Sequence, residues 1–249
     1  MKPATGGKTV YGAAVGILML ETRFPRIPGD MGNALTWPFP VLYKVVRGAT
    51  PDLVVRQGAS GLREAFIAAA RELVATGADG ITTNCGFLAI FQKDIAAAVG
   101  VPVATSSLMQ VPMVEALLPP GKRAGILTVS AETLTPAHLD AAGVPAGTPI
   151  VGTDGGEEFT RALIGNEWTL DVAKAEADVL AAGRELVAAH ADIGAIVLEC
   201  TNMMPYAARL RAELGLPVFS IASMVCWFQA GLTPCTYENE ILDTRPLSG

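Results

Sequence analysis

Two stretches of this chain repeat one another, and each ends in a cysteine. Asp79-Gly-Ile-Thr-Thr-Asn-Cys85 corresponds to Ile193-Gly-Ala-Ile-Val-Leu-Glu-Cys200. Fifteen residues after each cysteine stands a glycine (Gly100, Gly215), and two further on a proline opens an apolar run (Pro102, Pro217). Upstream, Arg71-Glu-Leu-Val-Ala75 matches Arg184-Glu-Leu-Val-Ala188, and Gly16-Ile-Leu18 matches Gly125-Ile-Leu127. An internal repeat constrains a fold more than any single motif, because each copy is one structural unit. The 249 residues accommodate two such units of about 110–120 residues each.

Within each copy, strand and helix patterns alternate, which points to βαβ units and a parallel sheet. Residues 13–20 read as a continuous apolar strand of the kind buried on both faces. Residues 21–61 are irregular and carry Pro25, Pro28, Pro38, Pro40 and Pro51; a short helix over 41–46 and a short strand over 52–55 are expected there. Ser60 reads as the cap of a helix over 62–75 that ends at Gly77. A strand over 80–84, a helix over 87–99 and a strand over 101–105 follow. The second copy reads as a strand over 124–129, helices over 134–142 and 171–189, a strand over 195–199, a helix over 204–214 and a strand over 218–221. An amphipathic segment over 223–231 precedes a polar tail. Pro119-Pro120-Gly121 is the boundary between copies. The expected fold class is therefore α/β, with two similar lobes related by a pseudo-two-fold axis, each a mostly parallel sheet flanked by helices.

Composition excludes several function classes. With 17% charged residues and a net charge of −6, the chain has no basic footprint for nucleic acid or a membrane surface. The run over 10–20 lacks a cleavage site, and no stretch reaches the roughly 18 apolar residues that span a bilayer, so a cytoplasmic location is expected. Four cysteines without a C-x-x-C pair, alongside only His138 and His190, give no metal-site spacing. Cys226 reads as a core residue and Cys235 as a tail residue.

Cys85 and Cys200 fall at the carboxyl ends of strands, where ligands bind in open α/β sheets. Each is followed by a helix, whose unpaired N–H groups favour a thiolate. Two such thiols suit a reaction in which one removes a proton and the other supplies one. The loop Trp37-Pro-Phe-Pro40 is a candidate lid, and Arg47 and Arg56 are candidate carboxylate clamps.

Leu198-Glu-Cys200-Thr201-Asn202-Met-Met-Pro205-Tyr206 resembles the Gly-Cys-Thr-His-Tyr-Pro motif of the aspartate/glutamate racemase superfamily. Gly125-Ile-Leu-Thr-Val-Ser130-Ala-Glu-Thr133 resembles the family's Thr-x-x-Thr carboxylate-binding segment. The first cysteine motif is looser, with Asn84 before Cys85 and Gly86-Phe87 after it. The resemblance implies an active site between two lobes, residues 1–106 with 222–249 and residues 107–221, the last segment crossing back to the first lobe. It implies catalytic Cys85 and Cys200, substrate binding by Asn84, Gly86, Ser130, Thr133, Thr201 and Asn202, no cofactor, and a small-molecule carboxylate as substrate. It also implies a homo-oligomer, most simply a dimer.

The activity so implied is racemisation or epimerisation at a carbon α to a carboxylate. Maleate-type isomerisation, arylmalonate-type decarboxylation and hydantoin racemisation are alternatives in the same superfamily, and a non-catalytic binding protein is one outside it. Asn202 stands where glutamate racemases carry a histidine. Glu199 replaces a glycine; beside Cys200 it would raise that thiol's pKa and make it the proton donor.

Overall fold

In the computed structural model, which describes residues 5–237, the repeat is realised as two four-stranded parallel sheets of identical topology. The first lobe runs β1 (Val15–Met19), β2 (Val41–Val45), α1 (Pro51–Val55), α2 (Arg63–Thr76), β3 (Gly80–Thr83), a 3₁₀ turn (Gly86–Phe91), α3 (Gln92–Val99) and β4 (Val103–Ala104). A 3₁₀ turn (Ser107–Gln110) and α4 (Val111–Leu117) lead to the second lobe. There follow β5 (Arg123–Thr128), α5 (Pro136–Ala142), β6 (Ile150–Gly152), α6 (Phe159–Ile164), α7 (Val172–Ala189), β7 (Ile193–Leu198), a 3₁₀ turn (Thr201–Tyr206), α8 (Ala207–Leu214), β8 (Val218–Phe219) and α9 (Ile221–Leu232). The strand orders are β2-β1-β3-β4 and β6-β5-β7-β8. No helix among the described residues is long and apolar enough to cross a membrane.

The shared motifs have a packing reason. Leu73 in α2 lies over Gly16 in β1, and Leu186 in α7 lies over Gly125 in β5; added Cβ atoms would come within 3.2 Å and 2.8 Å of these leucines. The leucine of one shared motif thus rests on the glycine of the other in both lobes, so helix and sheet approach closely and the strands are buried throughout. The last helix, α9, turns its face of Ile221, Met224, Val225 and Phe228 into a cluster with Val15, Ile17 and Met19 of the first sheet.

Within residues 21–61 the two short elements are exchanged relative to expectation. Residues 41–45 form a strand, paired in parallel with β1 from Val15–Val41 to Met19–Val45. It is an edge strand and only half buried, so it lacks the apolar run that would announce it. Residues 51–55 form a helix instead, because Thr50 caps it through Leu53 N–H and Pro51 occupies its first position. Ser60 does not cap α2, whose N-cap is Leu62 without a side-chain bond. The helices expected directly after the two cysteines begin as 3₁₀ turns. Elements β6, α6 and α4 were not anticipated: β6 has three residues, α6 and α4 only six and seven. Cys226 is exposed, on the face of α9 opposite the buried one.

If the two glycines are there for helix approach, Gly125→Ala should destabilise the protein by about 1–3 kcal/mol through overpacking. Urea unfolding followed by circular dichroism checks this; an unchanged midpoint would mean that Leu186 simply moves aside.

Candidate active site between the lobes

The carboxyl ends of the two sheets face one another across a narrow cavity of about 30 Å³, and corresponding residues from both lobes line it. Leu20 follows β1 and Val129 follows β5; Cys85 follows β3 and Cys200 follows β7; Pro51 and Val55 of α1 meet Leu163 and Ile164 of α6. Each cysteine thus sits where the strand order reverses, between the first and third strands of its sheet, the usual ligand position in open α/β folds. Thr201 Oγ1 ties the lobes by donating to the Asn84 carbonyl (2.6 Å), and Ser107 Oγ, at the start of the connection between the lobes, donates to the Leu198 carbonyl (2.5 Å).

The residues before the two cysteines are also matched. Asn84 Oδ1 accepts the Leu20 N–H (2.8 Å), and the Glu199 carboxyl accepts the Thr128 hydroxyl (2.7 Å), with the corresponding Val129 N–H also acting to lower its pKa. Glu199 is wholly buried, and its Oε1 has no partner among the described residues. Gly86 makes room for it, since a Cβ there would lie 2.2 Å from Glu199 Oε1. Burial pushes the Glu199 carboxyl from the ordinary 4.5 up to about 7, against the lowering effect of its two donors.

Both thiols are pushed up as well. Burial acts first and the Glu199 charge second, raising Cys85 to about 12 and Cys200 well above the ordinary value. The N–H groups of Phe87 and Leu88 at Cys85, and of Asn202 at Cys200, pull the other way but are outweighed. The thiolate favoured by the sequence reading is therefore not the resting form of the empty site. Cys200 donates its S–H to Asn202 Oδ1 (3.7 Å), and Asn202 Nδ2 donates to Asp30. Asp30 in turn pairs with Arg26 (2.9 Å), whose guanidinium lies over the Phe24 ring.

Of the residues singled out in the sequence, Asn84, Cys85, Gly86, Cys200 and Asn202 line the cavity. Thr201 stands behind it as a link between lobes. Ser130 and Thr133 are outside the lining: Ser130 is buried, and the Thr133 hydroxyl is buried without a partner among the described residues. Trp37 is buried against Met31 and Tyr43 and does not reach the cavity, while Arg47 and Arg56 pair with Glu21 and Asp52 in exposed positions. The cation at the cavity is Arg26, which no motif marked; its position just past the first strand was the only available signal.

Two outcomes follow from the buried carboxyl. Because its folded pKa lies above the unfolded one, its contribution to stability is complete below about pH 4.5 and is lost as pH rises through 7. This amounts to about 3 kcal/mol. Urea midpoints across this range should fall with pH in the wild type and change less in Glu199→Gln. The same substitution should speed alkylation of Cys85 by iodoacetamide above pH 8, because it removes the charge that disfavours the thiolate; an unchanged rate would show that the charge does not reach the thiol.

No protein-family profile matches the chain. It is 28% identical to a dimethylsulfoniopropionate lyase of Durusdinium sp. clade D over 240 residues, 92% of this chain and 79% of that protein. It is 30% identical over 224 residues to dimethylsulfoniopropionate lyase 3 of Emiliania huxleyi (strain CCMP1516), 86% of this chain but only 57% of that protein. Among solved structures, a mutant of arylmalonate decarboxylase in a sulfate-associated form superposes with a TM-score of 0.61 at 16% identity, covering 91% of this chain and 96% of that one. Aspartate racemase from Picrophilus torridus gives 0.56 at 13% identity, covering 88% and 94%. The fold of this chain is accordingly the one that these decarboxylase and racemase structures share, two parallel-sheet lobes with their carboxyl edges face to face.

Proposed function

We propose that this chain is a cofactor-independent enzyme that removes the proton α to a carboxylate, with Cys85 as the base. The observation that carries this reading is the meeting of Cys85 and Cys200, from corresponding strand ends, on one cavity. Cys200 is engaged as an S–H donor and suits the role of acid, whereas Cys85 has no such engagement. A thiol near 12 must lose its proton before it can act. A cationic substrate supplies the means, since an opposite charge within about 4–6 Å favours the thiolate. The mainly apolar wall of Leu20, Phe24, Val55, Val129, Leu163 and Ile164 suits a cation that carries methyl groups.

Elimination is the outcome we favour, because the relatives that match most of the chain are lyases of dimethylsulfoniopropionate. With that substrate, the Cys85 thiolate takes the α-proton and the C–H pair becomes the C=C bond. The C–S bond breaks and sulfur keeps its pair, leaving as neutral dimethyl sulfide, while acrylate remains. The charge developing at the carboxylate meets the Asn84 side-chain amide, which lines the cavity, while the backbone N–H groups of Phe87 and Leu88 favour the Cys85 thiolate. Racemisation or epimerisation of an amino acid or a derivative is the second reading. It is favoured by the Cys200 S–H, which an elimination does not require but a reprotonation does.

Incubation in deuterium oxide with dimethylsulfoniopropionate, single-enantiomer amino acids, hydantoins, arylmalonate and maleate separates the outcomes by NMR. Release of dimethyl sulfide, reduced about 10²–10⁴-fold in Cys85→Ala, is expected. Exchange with inversion, abolished in both Cys85→Ala and Cys200→Ala, would move the protein to the second reading. Decarboxylation, cis–trans isomerisation or no turnover of any compound would overturn both.

A further inference from the structure

The mechanism above uses neither oxygen of Glu199, yet this carboxyl is the most conspicuous departure from symmetry in the cavity. Position 199 corresponds to position 84, each preceding its cysteine; the Asn84 side chain accepts the Leu20 N–H that follows the first strand of its lobe, and the corresponding Val129 N–H acts to lower the Glu199 pKa. Asn84 spends Oδ1 on that bond, so Nδ2 remains, a hydrogen-bond donor on a side chain that lines the cavity. Glu199 spends Oε2 on the Thr128 hydroxyl and leaves Oε1 buried without a partner among the described residues, also at the cavity. An orphaned carboxyl oxygen in such a place costs free energy unless a ligand completes it. An ionised carboxylate there would repel the anionic end of the substrate, whereas a carboxylic acid presents an O–H.

We propose that Glu199 binds ligand as a neutral acid, donating a hydrogen bond from Oε1 to the substrate carboxylate as the counterpart of Asn84 Nδ2. This rests on the reading of the cavity as a carboxylate site. It makes Glu199 a binding residue that selects anionic ends in a cavity whose one lining cation among the described residues, Arg26, is already paired with Asp30. The other titratable or charged groups around it are Cys85 on the 3₁₀ turn after β3, Cys200 and Tyr206 at and within the turn after β7, and the Arg26–Asp30 pair on the segment after β1. Cys85, Cys200 and Tyr206 are all pushed up, away from neutrality, which leaves Glu199 as the group whose shifted pKa, about 7, falls in the neutral range. Binding of an anion should then draw a proton onto Glu199.

Calorimetric titration with propionate, an unreactive three-carbon carboxylate, tests this in two buffers of different ionisation enthalpy. At pH 7 the wild type should take up about half a proton per propionate bound, and Kd should rise toward tenfold per pH unit above 7. Glu199→Gln keeps an acceptor for Thr128 and offers an N–H in place of the O–H, so it should bind with no proton uptake and a flat pH dependence. Glu199→Leu should lose most of the affinity. Wild-type binding without proton uptake, an unchanged pH dependence in Glu199→Gln, or no propionate binding at all would each overturn the proposal, the first and last without recourse to any variant. Turnover in deuterium oxide alongside any of these would leave the proposed function standing. Proton-linked binding without turnover would instead sink the proposed function and leave Glu199 as the acid of an anion-binding site.

Discussion

A carboxyl group wholly removed from water, pressed against the one residue small enough to admit it, sets the terms for the rest of this site. Glu199 extends from the end of β7 toward the other lobe and comes to rest over Gly86, where no side chain can be accommodated. Thr201 bridges the lobes by spending its hydroxyl on the Asn84 carbonyl, and Ser107 fixes the connection between them on the Leu198 carbonyl. The approach of the two sheets is therefore held by a hydrogen bond and a steric limit together. Enlarging residue 86 or shortening residue 199 would alter the cavity before any reacting group was touched.

The charge balance has the same origin. Taking a carboxyl and two thiols out of water disfavours every ionised form. The one lining cation among the described residues, Arg26, is neutralised by Asp30, and Asp30 in turn orients Asn202, the acceptor for the Cys200 S–H. Such a site does little until a ligand brings charge of its own. A substrate with a cationic and an anionic end would supply both charges that the protein withholds.

Much of the architecture was legible along the chain because it is written in motifs with a direct packing role. The glycine of Gly16-Ile-Leu18 and the leucine of Arg71-Glu-Leu73 recur in the second lobe because one rests on the other in both. Cys200 could be placed at a strand end because an apolar run stops just before it, and Cys85 because its segment repeats that one. What escaped notice were elements whose identity depends on neighbours. Val41–Val45 is a strand by virtue of pairing with β1, and its half-exposed residues carry no pattern that says so. Arg26 belongs to a proline-rich segment and reaches the cavity only because Phe24 and Asp30 hold it there.

The sequence by itself determined the duplication, the parallel α/β lobes and the position of each cysteine at a strand end, because these depend on periodicity and on residues close in the chain. Tertiary structure decided that both thiols are shifted upward and that the Glu199 carboxyl is shut away from water. Local context put N–H groups beside each cysteine and so argued for thiolates, with Glu199 opposing them only at its neighbour Cys200. Desolvation, and the reach of Glu199 to Cys85, depend instead on which lobe faces which, and they reverse the balance. Electrostatic free energy in a buried site is set by everything within several ångströms in space, and for Cys85 that includes a carboxyl from the other half of the chain.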